Sequence, residues 1–218
     1  MVILLVLLTF VFFIVIDAVI RARRKAAQQT VAVAEPQSFL TEKPGERLFH
    51  PGHCWVQLSQ PKLATVGVDN FAQHVIGRIN GIELPDSTRT VRQGEPLVTL
   101  RRGKRLLTLV APVSGRITEV NQEVQRHPDL LNDSPYENGW IVKIAPQNLA
   151  FEARNLIHGI TASLWREALN TQLMQWFTPR LGTLMQDGGH LIENFSDQLS
   201  QEDWHKLAKE FFPDIAND

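Results

Sequence analysis

The spacing of apolar residues divides the chain into four stretches. From Met1 to Ile20 the sequence MVILLVLLTFVFFIVIDAVI is apolar except at Thr9 and Asp17. About 20 helical residues at about 1.5 Å each span a hydrocarbon core of about 30 Å, so this stretch reads as a transmembrane helix. RARRK follows at once, Arg21 to Lys25, and nothing basic precedes the run. By the positive-inside rule the C-terminal side stays in the cytoplasm. The expectation is a single-pass inner-membrane anchor over residues 1–25, with the folded part cytoplasmic. AVA at Ala32 to Ala34 resembles a signal-peptide cleavage site, but a signal peptide carries its charges ahead of a shorter apolar run. Residues 26–47 hold two prolines and little periodicity and read as a tether.

From residue 48 to 146 the period becomes that of strands. CWVQL, ATVGV, RINGIEL, LVTL, LLTLV, GRITEV and GWIVKI each alternate or run apolar over a few residues between glycines and prolines. One segment breaks the pattern: in DNFAQHVIG, Asp69 to Gly77, Asp69 suits a helix N-cap, Phe71, Val75 and Ile76 share a face, and Gly77 ends it. The stretch is mainly β with one short helix, which implies a sandwich or small barrel.

Residues 147–218 are helical in pattern. Leu156, Ile160, Leu164, Ala168, Leu169, Leu173 and Phe177 recur at multiples of three and four up to Pro179, predicting one amphipathic helix from about Leu149, or two broken near Gly159. A further helix starts at Ser200, where Asp203 completes a capping-box pattern, and runs to Phe212 with Trp204, Leu207, Ala208, Phe211 and Phe212 on one side. Trp165, Leu169, Leu173, Trp176 and Phe177 form a candidate docking face. Arg154 and Arg166 are matched there by Glu152 and Glu167, so the helix lacks the basic flank of a membrane-surface helix and a protein partner is preferred to lipid.

Composition narrows the classes. The net charge of −1 removes the global field expected of a nucleic-acid binder. Cys54 is the single cysteine and forms no internal disulfide. His50, His53 and Cys54 in HPGHC have zinc-binding side chains but no fourth ligand pattern elsewhere, so no metal is expected. DGGH, Asp187 to His190, lacks the spacing of a phosphate loop. No nucleophile–base pair comes with a local signature, and the chain is not read as an enzyme.

The ordered series HCWVQL, ATVGVDNFAQHVIGRINGIELP, VRQGEP, APVSGRITEVN and PDLLNDSPYENGWIVKI resembles the H-protein of the glycine cleavage system over residues 50–146. The resemblance implies a lipoyl-domain-like barrel-sandwich hybrid in which a lysine at a hairpin tip carries lipoate. It also assigns His53 a structural role. By the family's spacing to APVSG, that lysine is Lys104, the candidate lipoyl attachment site. Its neighbours depart from the family: where the family typically reads Glu-Ser-Val-Lys-Ala, this chain has Arg101, Arg102, Gly103, Lys104 and Arg105. The helical residues after 146 are a second departure.

Two functions follow. The preferred one on sequence is a membrane-anchored, H-protein-like interaction module, not lipoylated and without cofactor. It docks on subunits of a membrane-associated complex through the basic turn of Arg101, Arg102, Lys104 and Arg105 and through the helical face. The alternative is a lipoyl carrier with lipoate on Lys104, as in the glycine cleavage system.

Overall fold

The computed structural model describes residues 46–60, 62–177, 185–186, 190–191 and 195–212. The apolar run Met1 to Ile20 and the tether to residue 45 lie outside them, as does DGGH apart from His190. Among the described residues no helix is long and apolar enough to cross a membrane.

Among the described residues nine strands form two antiparallel sheets, and Met185–Gln186 pairs with His190–Leu191 as a separate two-stranded ladder. Strands β1 (Arg47–Phe49), β2 (Cys54–Gln60), β3 (Leu63–Val68), β5 (Thr90–Val91), β8 (Gly115–Val120) and β9 (Trp140–Pro146) make a six-stranded sheet in the order β1-β2-β3-β9-β8-β5. Strands β4 (Gly81–Glu83), β6 (Pro96–Arg102) and β7 (Arg105–Val110) make a second sheet, with β6 in the middle. Alternation places one side of each strand inward: Val56, Val66 and Ile144 of the first sheet and Leu100, Leu107 and Leu109 of the second share one core cluster. Trp55 is 1% exposed, and its ring occupies the space beside Gly67, where an added Cβ would come within 2.4 Å of it.

Helix α1 (Asn70–Ile76) follows β3. Asp69 Oδ1 accepts from the Ala72 amide at 2.8 Å and Gly77 ends the helix at φ 81°, as the sequence predicts. Short helices α2 (Gln122–Arg126) and α3 (Leu130–Asp133) fill the β8–β9 connection, and α4 (Leu149–Glu152) follows β9.

The long helix takes the second of the two expected forms, broken near Gly159. It runs as α5 (Gly159–Phe177), and its phase is set afresh at Gly159, where φ is 55°. Before it, Ile157 is bridged to Phe49 by two backbone hydrogen bonds of 2.8 and 2.7 Å, so Leu156 lies outside the helix. The buried set is therefore Ala162, Leu169, Leu173 and Phe177, while Ile160 and Leu164, placed on the stripe by spacing alone, are 79% and 59% exposed. Helix α6 (Gln201–Phe211) begins as predicted: Ser200 Oγ accepts from the Asp203 amide at 3.0 Å. Trp204, Leu207 and Phe211 bury its inner face. Leu169, Leu173, Phe177, Phe195, Trp204 and Leu207 belong to the same core cluster as the strands. The helical face read as a partner surface is thus buried in the chain's own core, against α1 and, at Phe177, against Phe195. A stripe of large apolar side chains gains most by such burial.

Candidate functional site: the Lys104 hairpin

Strands β6 and β7 pair from Pro96–Val110 to Arg102–Arg105, leaving Gly103 and Lys104 as a two-residue loop. Gly103 has φ 57° and is the only loop residue with positive φ, the arrangement of a hairpin whose glycine stands first. Its amide donates to Asn80 Oδ1 at 3.3 Å, and nothing lies within 4 Å of where a Cβ would sit. Lys104 is exposed at the tip. Among the described residues its amine has no recorded hydrogen bond or ion pair.

The other three cations are not equivalent. Arg101 is exposed and its guanidinium lies across Gly81, 2.7 Å from where that residue's Cβ would stand. Arg102 grips Asp197 with two donors: Nε reaches Oδ1 at 2.9 Å and Nη2 binds Oδ2. Arg105 is 9% exposed; its Nη1 donates to Asp197 Oδ1 at 3.0 Å, its Nη2 to the Leu199 carbonyl at 3.1 Å, and its guanidinium stands 5.5 Å from the Trp204 ring centroid. One carboxylate thus holds both sides of the loop. The basic turn read as a docking surface is reduced to Arg101 and Lys104, because Arg105 is buried and Asp197 occupies it and Arg102.

Asp197 sits on a 3₁₀ turn, Phe195–Gln198, that is itself pinned. Phe195 is fully buried against Phe177, ring centroids 5.0 Å apart, and the buried Ser196 hydroxyl donates to the Ile76 carbonyl at 3.0 Å. Sequence reasoning missed Asp197. The acid lies 92 residues beyond Arg105, with no local pattern to link them.

The candidate docking residues Leu169, Leu173 and Phe177 are buried, and Trp165 and Trp176 are half-buried, Trp176 edge-on to Phe177 at 4.8 Å. His53 does the structural work expected of it, at φ 64° and 1% exposed. Its Nδ1 meets Asp69 Oδ2 at 2.9 Å and its Nε2 meets the Phe211 carbonyl at 3.1 Å. It also stacks between Phe71 and Trp165, with Phe212 beside it at 4.6 Å. His50 Nδ1 accepts the Gly52 amide. Burial, and then the charge of Asp69, push the Cys54 thiol far above its ordinary range, which removes it as a thiolate ligand or nucleophile. Among the described residues no group of three His, Cys, Asp or Glu side chains is placed to hold a metal.

A family model described as glycine cleavage H-protein matches residues 47–164. The chain is similar to the glycine cleavage system H protein of Hydrogenovibrio crunogenus, 34% identical over 107 residues, 49% of this chain and 83% of the relative. It is similar too to that of Staphylococcus epidermidis, 38% identical over 101 residues, 46% of this chain and 79% of the relative. A crystal structure of the Mycobacterium marinum H protein aligns with TM-score 0.45 and 29% identity over 48% of this chain and 87% of that one, which adds nothing to the sequence match. The match ends inside α5, before the segment that bears Asp197.

Proposed function

The chain belongs to the glycine cleavage H-protein family over residues 47–164, and on that premise we propose that it is a lipoyl carrier with lipoate attached at Lys104. The carrying observation is the exposed, unengaged amine of Lys104 at the tip of a two-residue hairpin. The residues fit the group: the amine is open to acylation, and the space beside Gly103 is empty. Lipoate in amide linkage supplies a dithiolane that takes reducing equivalents or a one-carbon or acyl group from one enzyme site to another. The chain's own residues orient the tip: Gly103 turns it, and Arg102 and Arg105, held by Asp197, fix the two strand ends. The carrier catalyses nothing itself, and its partners are enzymes of the glycine-cleavage type.

A second reading, the interaction module without lipoate, is favoured by one observation: Arg101 stands where the family has an acid. Mass analysis of the peptide spanning Lys104, from protein taken from its own cells, separates the two. An adduct of about 188 Da with loss of the lysine charge supports the carrier; an unmodified peptide sinks it. We propose too that residues 1–25 anchor the chain in the inner membrane with the domain cytoplasmic, on the strength of RARRK after the apolar run. A periplasm-dependent reporter fused after Asp218 should stay silent, and activity there would reverse the orientation.

A further inference from the structure

The register of the β6–β7 hairpin sorts its side chains onto two faces. Arg102 pairs with Arg105, Leu100 with Leu107 and Val98 with Leu109, whereas Arg101 pairs with Leu106 and Thr99 with Thr108. Cross-strand partners share a face and successive residues alternate. The first set is therefore continuous with the core, and the second faces out. On the outer face β4 sets Gly81 opposite Arg101 and Glu83 opposite Thr99.

Any enzyme that acylates Lys104 must close around the tip, and the inner side of the tip is taken. Asp197 spans Arg102 and Arg105, the Leu199 carbonyl accepts from Arg105 Nη2, and the Trp204 ring centroid lies 5.5 Å from the Arg105 guanidinium. The outer side is open. Leu106, two residues from Lys104, is 53% exposed. Arg101, directly opposite it, is exposed too, and among the described residues its guanidinium has no recorded hydrogen bond or ion pair. Glu83 is exposed and makes no recorded ion pair with it. The Thr99 and Thr108 hydroxyls bond each other at 3.0 Å, which leaves a neutral floor beneath the pair. A lone exposed leucine is ordinary. Here it stands against an unneutralised cation, beside the one lysine to be modified, on the side left open.

We propose that Leu106 and Arg101 form the docking face for the enzyme that acylates Lys104, and that this enzyme meets them with an apolar socket and a carboxylate. The proposal rests on the reading of Lys104 as the carrier lysine and adds the side of approach and the sign of the partner's charge. Since Arg101 stands where the family has an acid, the complementary charge on the enzyme reverses with it. In the step itself the Lys104 ammonium gives up a proton and the amine attacks the carbonyl carbon of an activated lipoyl donor, a mixed anhydride or thioester. The bond to the leaving group breaks with its electron pair, and a second proton is lost as the amide forms.

Intact mass of the full chain, expressed in its own cells and sampled over time after induction, gives the rate at which the lipoyl adduct appears. Leu106→Ser and Arg101→Glu should each slow it about tenfold or more. Leu164→Ser, at a similarly exposed leucine of α5, should leave the rate at the wild-type value. All three side chains are exposed, so the thermal midpoints should match wild type. Wild-type rates in both hairpin variants would overturn the docking face and leave the carrier reading standing. An equal slowing in Leu164→Ser would also overturn it, and a faster rate in Arg101→Glu would overturn the partner's carboxylate. An unmodified wild-type chain would overturn the carrier reading and this proposal together.

Discussion

Replacing Asp197 by asparagine tests the joint between the hairpin and the C-terminal segment. The side chain keeps its shape but loses its charge, and its amide nitrogen must face one of the guanidinium donors that now meet the carboxylate. Three charge-assisted hydrogen bonds end on Asp197, two from Arg102 and one from Arg105. The guanidinium side chains are 14% and 11% exposed but Asp197 is 52% exposed. An exposed pair is worth about 0–1 kcal/mol, whereas breaking a buried one costs about 3–5 kcal/mol. The half-exposed carboxylate screens the interaction, and the buried Arg105 is left without its counter-charge, so the expected loss lies between, at about 2 kcal/mol. For a protein of this size that lowers the midpoint by about 4–8 °C, measured by thermal unfolding of the full chain in detergent. Arg105→Met in the Asp197→Asn background should then cost less than it does alone, because the two side chains share one interaction. An Asp197→Asn protein within about 0.5 kcal/mol of wild type would refute the clamp as a stabilising contact.

Cys54 should alkylate at mildly alkaline pH far more slowly in the native chain than in urea, since its thiol is buried and its ionisation opposed; equal rates would contradict that burial. The phenolate absorbance of Tyr136 should appear only above pH 10, because the fold raises the phenol from that value. The stability it contributes is therefore complete below pH 10 and lost as pH climbs through the folded-state value; ionisation at or below pH 10 would show the hydroxyl to be solvated. Gly103→Ala should cost about 1 kcal/mol, from positive φ alone, because open space surrounds the new methyl. Gly67→Ala should cost more, about 3 kcal/mol, because its methyl would collide with the Trp55 ring. The reverse order in urea titrations would contradict both environments.

The strand pattern, the Asp69 and Ser200 caps and the hairpin at Gly103 were legible because each is written within a few residues. Alternation over β6 and β7 shows in six or seven residues, and a cap needs only the next turn. The phase of α5 was not legible: Ile160 and Leu164 fit a 3.6-residue period counted from Leu156, but the bridge of Ile157 to Phe49 ends one segment and Gly159 starts another. That bridge pairs residues more than a hundred apart, which periodicity does not see. The same holds for the candidate site. Lys104 was found by its spacing to Ala111–Gly115 and by family likeness. The states of Arg102 and Arg105 depend on an acid brought in by packing of Phe195 and Ser196.

These contacts join two departures from the family that look independent in the sequence. The exchange of neutral or acidic neighbours for arginines around Lys104, and the segment that follows the end of the family match at residue 164, meet at Asp197. Arg102 and Arg105 receive the carboxylate, and the extension delivers it on a turn whose neighbours Phe195 and Leu199 lie in the core. Neither change is favourable alone. Arginine at 105 without the extension would leave a cation on an inward-facing position of β7, between Leu107 and the hairpin, with nothing to satisfy it. The extension without the arginines would keep its apolar anchors but set Asp197 against strand ends that offer it no guanidinium. The cationic turn is therefore better explained as a receptor for the chain's own C-terminal segment than as a surface kept for a partner, and any enzyme that modifies Lys104 must recognise the tip with Asp197 beside it.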